Sequence, residues 1–163
     1  MSGTLQLGGT NLAVHSGSGA SAKITLDSGL VFPAGHVIQV INNSFTTFAS
    51  TTSSTYVDVT GYSADITPSS SSNKVLVMID ACGGGSGSSQ VNYAVYAGAS
   101  LVTETRINRI AGVDYNATIS CIHLPSTTSQ VTYQIKMKAV SGTAIVNQNT
   151  GMTSYITLME LAG

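Results

Sequence analysis

Charge is what this sequence has least of: Asp, Glu, Lys and Arg make up 8% of its 163 residues, where a soluble domain ordinarily carries about 25%. Tryptophan is absent, and there are only three prolines and two cysteines. The six cations, Lys23, Lys74, Arg106, Arg109, Lys136 and Lys138, form no block of the kind that grips phosphates, and the formal net charge is −1. A nucleic-acid partner is therefore not expected. No apolar run approaches the ~20 residues that cross a bilayer, so membrane insertion is not expected either. The first residues lack a basic segment followed by an apolar one, which gives no export signal and places synthesis in the cytoplasm. Two cysteines are too few for a disulfide framework. Cys82 and Cys121 fall on different predicted strands, and both a bridge and a pair of reduced core thiols stay open, with buried thiols the more expected.

Hydroxyls replace the missing charge. Ser and Thr make up roughly a quarter of the chain against a Leu- and Ala-led norm, in runs such as 51–55 (TTSST) and 69–72 (SSSS). Such charge-poor, hydroxyl-rich surfaces suit long-lived extracellular or virion assemblies. With 42% apolar residues, the length suffices for about one domain whose core needs no staples.

Alternation with period two recurs along the chain, and helical periodicity does not. Residues 131–137 (VTYQIKM) place Val131, Tyr133, Ile135 and Met137 on one face and Thr132, Gln134 and Lys136 on the other, as in a half-buried antiparallel strand. Lys136 and Lys138 read as two solvated side chains on that outer face. Residues 90–96 alternate likewise, and 74–80 (KVLVMID) is nearly continuous in apolar character, as in a strand covered on both faces. Further strands are expected at 37–41, 55–59, 63–67, 118–123, 145–148 and 155–161. Residues 103–111 read as a strand or an irregular connection. Turn formers separate these segments, among them the loop at 83–87 (GGGSG). The fold class is therefore expected to be all-β: an antiparallel β-sandwich, jelly-roll-like. Its expected interior is Val75, Val77, Ile79, Val91, Tyr93, Val95, Val131, Tyr133, Ile135, Ile156 and Leu158.

The first 33 residues differ in texture. Two very short strands flank Gly8-Gly9, a flexible SGSG follows at 16–19, and a third short strand is expected at 23–26. So few apolar residues do not hold such a segment folded alone. Residues 1–33 are expected to be an arm that orders against a partner or its own oligomer, hinged at 32–35 to a main domain at 34–163.

Motifs for chemistry are missing. There is no Gly-x-Ser-x-Gly elbow, and 83–87 lacks the Lys-Ser/Thr of a phosphate loop. His15, His36 and His123 are isolated, so neither a metal site nor a cofactor is expected. His123 reads as a hydrogen-bonded interior histidine. The seven acids are too dispersed to nominate a hydrolytic pair; Asp80 and Glu160 are the two expected to be buried, each held by a cation or by backbone donors. The chain is not expected to be an enzyme.

Aromatics bear more on binding. Tyrosines outnumber phenylalanines seven to three, and tyrosine offers a flat apolar face with a polar tip, suited to wet sugar-binding surfaces and subunit interfaces. The candidate exposed recognition residues are Tyr96, Arg106, Arg109 and Tyr115.

Three segments, 33–40 (PAGHVIQV), 56–77 (YVDVTGYSADITPSSSSNKVLV) and 155–161 (YITLMEL), together with the opening 1–13 (MSGTLQLGGTNLA), resemble small fibre and knob proteins of tailed bacteriophages, notably marine and cyanobacterial ones. The likeness implies a homotrimeric β-sandwich knob on a virion. The arm would join other tail or capsid proteins, and distal loops would contact a host surface glycan. It implies no particular binding residue. Two other roles stay open: a capsid decoration or tail adaptor protein without a receptor, and a hydrolase of surface glycans.

Overall fold

Every strand expected from alternation forms, and most of them join two four-stranded sheets. The structure, a computed structural model, describes residues 3–7, 10–16, 23–26, 32–83, 89–110 and 114–163. The chain divides into two units, Met1–Pro33 and Ala34–Gly163. In the first, β1 (Gly3–Leu7), β2 (Thr10–Ser16) and β3 (Lys23–Leu26) form an antiparallel sheet in chain order.

The second unit contains β4 (Val37–Phe45), β5 (Ala49–Thr51), β6 (Val57–Ile66), β7 (Lys74–Gly83), β8 (Ser89–Ala97), β9 (Ser100–Arg109), β10 (Tyr115–His123), β11 (Val131–Ser141), β12 (Ala144–Val146) and β13 (Ser154–Leu161). A first sheet has the order β10-β7-β13-β4 and a second the order β6-β11-β8-β9, while β12 and β5 make a small ribbon. Four nested pairs account for both sheets: β4 with β13 and β7 with β10 in the first, β6 with β11 and β8 with β9 in the second. A long hairpin with its tip at β8–β9, rolled so that successive pairs alternate between sheets, gives this order. That is the jelly roll, two antiparallel sheets face to face.

The expected interior is buried throughout except Val131, which is half-buried against the core. Residues 103–111 contribute to a strand, β9. The strands expected separately at 55–59 and 63–67 are one strand, β6, because Gly61 takes φ +84° at a shift in register opposite β11 and lets the strand continue through a bulge. Gln134 Nε2 donates to the carbonyls of Val59 (2.9 Å) and Tyr62 (3.3 Å) there. Of 83–87, Gly83 belongs to β7 and is buried; the rest lies outside the described residues. One expectation fails on β7. It is covered on one face only, with Leu76 and Met78 half-exposed on the other, because none of the described residues of the second unit packs over the outer face of the first sheet.

Three tyrosines of the second sheet are fully buried, and each hydroxyl reaches a group beyond its own sheet. Tyr62 donates to the carbonyls of Asp80 (3.0 Å) and Tyr155 (3.1 Å) on the two central strands of the first sheet, its ring stacked on Phe45. Tyr93 donates to the Ile145 carbonyl (2.5 Å) and lies 2.8 Å from the Tyr115 hydroxyl of β10. The Tyr133 hydroxyl is 2.8 Å from His123 Nδ1, also on β10. His123 is thus a hydrogen-bonded, half-buried histidine, and burial lowers its pKa.

Glu160 is 0% exposed and has no cation beside it. Asn73 Nδ2 (2.6 Å), Gln39 Nε2 (2.5 Å), and Ser69 through both its N–H (2.6 Å) and its hydroxyl (2.7 Å) donate to the carboxylate. Burial pushes its pKa up, but these donors outweigh burial and the net shift is downward. At the opposite end of β13, Asn147 (φ +52°) donates to the Phe45 carbonyl (2.7 Å) and accepts from Ser154 (2.8 Å). Cys82 and Cys121 are both free. Cys121 packs against the core from β10, while Cys82 lies on the outer face of β7 and its thiol donates to the Thr153 carbonyl, so the two thiols lie on opposite faces of one sheet.

Two stability measurements follow. Glu160→Gln removes a charge that four donors hold, and chemical denaturation at neutral pH is expected to show a loss of about 1–3 kcal/mol. Because the folded-state pKa is depressed, this contribution is complete above the unfolded value of about 4.3 and is lost as pH falls through the folded value; variant and wild type therefore converge in acid. Gly83 stands opposite Tyr115 in register, and a methyl group there would enter the Tyr115 ring. Gly83→Ala is expected to cost about 1–3 kcal/mol in thermal unfolding.

Candidate functional site

The chain's scarce charges gather on the outer face of the second sheet. Asp58 and Asp65 on β6, Glu104 and Arg106 on β9, and Lys136 and Lys138 on β11 all fall there. The pleat places them together: Lys136 is opposite Asp58 on one side and Ala94 on the other, Ala94 is opposite Glu104, and Asn92 is opposite both Lys138 and Arg106. Tyr96 on β8 and Tyr56, just before β6, complete the surface.

These groups hold one another. Lys138 Nζ lies 4.3 Å from the centre of the Tyr56 ring, and Lys136 Nζ 4.6 Å from that of Tyr96, both in cation–π range. Lys136 also pairs with Asp58 at 2.9 Å, its side chain 24% exposed. The two lysines expected as free solvated groups are therefore laid down on aromatic faces. The tyrosine rings meet edge to face at 5.8 Å. The Tyr56 hydroxyl donates to Glu104 and accepts from Asn92 Nδ2 (3.5 Å), whose Oδ1 accepts from Arg106 Nε (3.1 Å). Asn92 is buried beneath this network. Burial first, and then the hydrogen bond to Glu104, pushes the Tyr56 phenol up to about 12. The hydrogen bond from Tyr56 holds the Glu104 carboxyl below its usual range, with Lys138 and Arg106 adding to it.

No protein-family model matches the chain, and no curated protein does. Among solved structures it is similar to a chain in the structure of infectious bursal disease virus, Gx strain, at 12% identity and a TM-score of 0.49, over 86% of this chain. It spans 38% of that chain's length.

Of the four residues expected to form a recognition surface, Tyr96 and Arg106 lie on this face. The Arg109 side chain is outside the described residues. Tyr115 lies on the other sheet and is half-buried, its hydroxyl turned inward to Tyr93; the aromatic ring that starts β10 fills space over Gly83 and does not face out. Tyr56, Asn92, Glu104 and Lys138 were not legible as members. The signals were the polar alternation of β11 and the polar positions of β8, but their meeting depends on strand neighbours far apart in sequence. Among the described residues no three His, Cys, Asp or Glu side chains converge on a common point. What the face offers is two aromatic planes, ammonium groups, a guanidinium and three carboxylates, a set of stacking surfaces, donors and acceptors.

Glu104→Gln tests the network. Removing the carboxylate is expected to lower the Tyr56 pKa from about 12 while burial keeps it above the ordinary phenol value, read by NMR titration of the tyrosine rings. An unchanged titration would show that Glu104 does not act on Tyr56.

Proposed function

We propose that the chain is a virion structural protein, a tail-fibre or knob subunit that attaches to a bacterial surface by binding polysaccharide, with copies assembled as a homotrimer. The observation that carries this reading is the tyrosine–cation face: in a chain with 8% charged residues, six charged groups and two tyrosines share one sheet surface. Tyrosine rings stack on the apolar faces of sugar rings, while Lys138, Arg106 and Glu104 exchange hydrogen bonds with hydroxyls and acidic substituents. Such contacts are individually weak, and display in several copies multiplies them into stable attachment. The jelly roll supports the reading as a scaffold used by capsid and lectin domains, and the hydroxyl-rich, charge-poor composition suits a particle exposed for long periods. The resemblance to phage fibre and knob proteins points the same way.

The test is adsorption of the purified protein to a panel of intact bacteria and to their isolated surface polysaccharides. Wild type is expected to bind at least one host, and Tyr56→Ala and Tyr96→Ala to lose about tenfold or more in apparent affinity, since one stacked ring contributes on the order of 1–3 kcal/mol. Equal binding by both variants would remove the face from the account, and failure of wild type to bind any cell that the intact virion adsorbs to would remove the attachment role.

A further inference from the structure

The outer face of the first sheet is the chemical opposite of the tyrosine–cation face. The cross-strand register lays it out in rows. One row, Ile122, Leu76, Met159 and Val40, is apolar across all four strands, with Ile122 62% and Val40 52% exposed. Beside it the next row runs from Lys74 through Leu161 to Val37, a lysine followed by two apolar side chains. The row on the other side, Ser120, Met78, Thr157 and Asn42, is mixed, and the next, Thr118, Asp80, Tyr155 and Ser44, is polar apart from the Tyr155 ring. Along the strands this face thus grades from apolar to polar, and one row is apolar across all four strands.

We infer that this face is the interface between copies of the chain, packed about a symmetry axis that runs parallel to the strands. An axis in that direction brings each row against the same row of the next copy, so the row of Ile122, Leu76, Met159 and Val40 meets its own counterpart. An axis across the middle of the strands would set Val40 and Ile122 against polar rows. A two-fold axis requires a patch complementary to itself, and a row that is apolar across all four strands meets that requirement. Four strands about 4.8 Å apart and four rows about 6.8 Å apart give roughly 500 Å² of face per copy, or roughly 1,000 Å² in a pair, the level at which specific interfaces begin. Within that area the row of Ile122, Leu76, Met159 and Val40 is the apolar surface a second copy would take from water. This inference builds on the multi-copy part of the function proposed above and assigns it a surface; it does not depend on polysaccharide binding.

The experiment is sedimentation velocity over a wide concentration range on wild type, Ile122→Lys, Val40→Lys and, as a control on the other sheet's outer face, Asn108→Lys. Far-ultraviolet circular dichroism and thermal midpoints establish that each variant is folded. The first two positions are more than half exposed, so a lysine is accommodated in a single folded chain; should one variant fail to fold, the other carries the test. Wild type and Asn108→Lys are expected to associate alike, and each apolar-face variant to weaken association by roughly tenfold or more. Association unaffected by both lysines would place the interface elsewhere and overturn this inference while leaving a multi-copy protein intact. A wild type that stays a single chain at every concentration would overturn both, and would mean that the face is covered by another segment or another protein.

Discussion

Three buried phenol groups tie the two sheets together, and the rest of the structure depends on them. Among the described residues no ion pair joins one sheet to the other, and apolar contact alone specifies register weakly. Tyr62, Tyr93 and Tyr133 supply both needs. Their rings are fully buried and contribute apolar area, while each hydroxyl ends on a group outside its own sheet: the carbonyls of Asp80 and Tyr155, the Tyr115 hydroxyl and Ile145 carbonyl, and His123. A one-residue slip of either sheet would leave these hydroxyls buried without partners, at roughly 1–3 kcal/mol each. Glu160 and Asn147 act similarly at the two ends of β13, where side chains and backbone donors take the place of counter-ions.

With the sheets locked, the pleat determines what faces outward, and the two outer surfaces diverge. The second sheet presents the tyrosines and charges that remain after the core is filled. The first presents Ile122, Leu76, Met159 and Val40 in an unbroken row. The seven tyrosines divide accordingly: four brace the interior, Tyr56 and Tyr96 stand on the charged face, and Tyr155 stands on the apolar one. A single fold thereby separates a surface suited to solvent and hydroxylated ligands from one suited to copies of itself.

Much of this was legible in the residues. Alternation in 131–137 and 90–96 located β11 and β8 and the face of each that is buried, because one pleated face against a core leaves a period of two. The near-continuous apolar run at 74–80 was also visible, but its cause was not. A strand covered by protein on both faces and a strand whose outer face awaits another copy have the same sequence, so Leu76 and Met78 read as interior. Tyr115 misled for a related reason: its place beside a loop says nothing of which way the ring turns, and that direction follows from Gly83 across the strand pair, where the lack of a side chain makes room. The tyrosine–cation face was half legible, through Tyr96 and Arg106. Its other members come from strands adjacent only after folding, and no local pattern announces that Lys138 will lie over Tyr56.

The central claim is that the two outer faces do different work, and hydroxyl-radical footprinting read by mass spectrometry tests it most directly, because Met78 and Met159 report on one face and Tyr56 and Tyr96 on the other. On raising the protein concentration, labelling of the two methionines should fall while that of the two tyrosines holds. On adding a bound polysaccharide at fixed concentration, the pattern should reverse. Protection of both faces together in either experiment, or of neither, would contradict the division of roles on which the account stands.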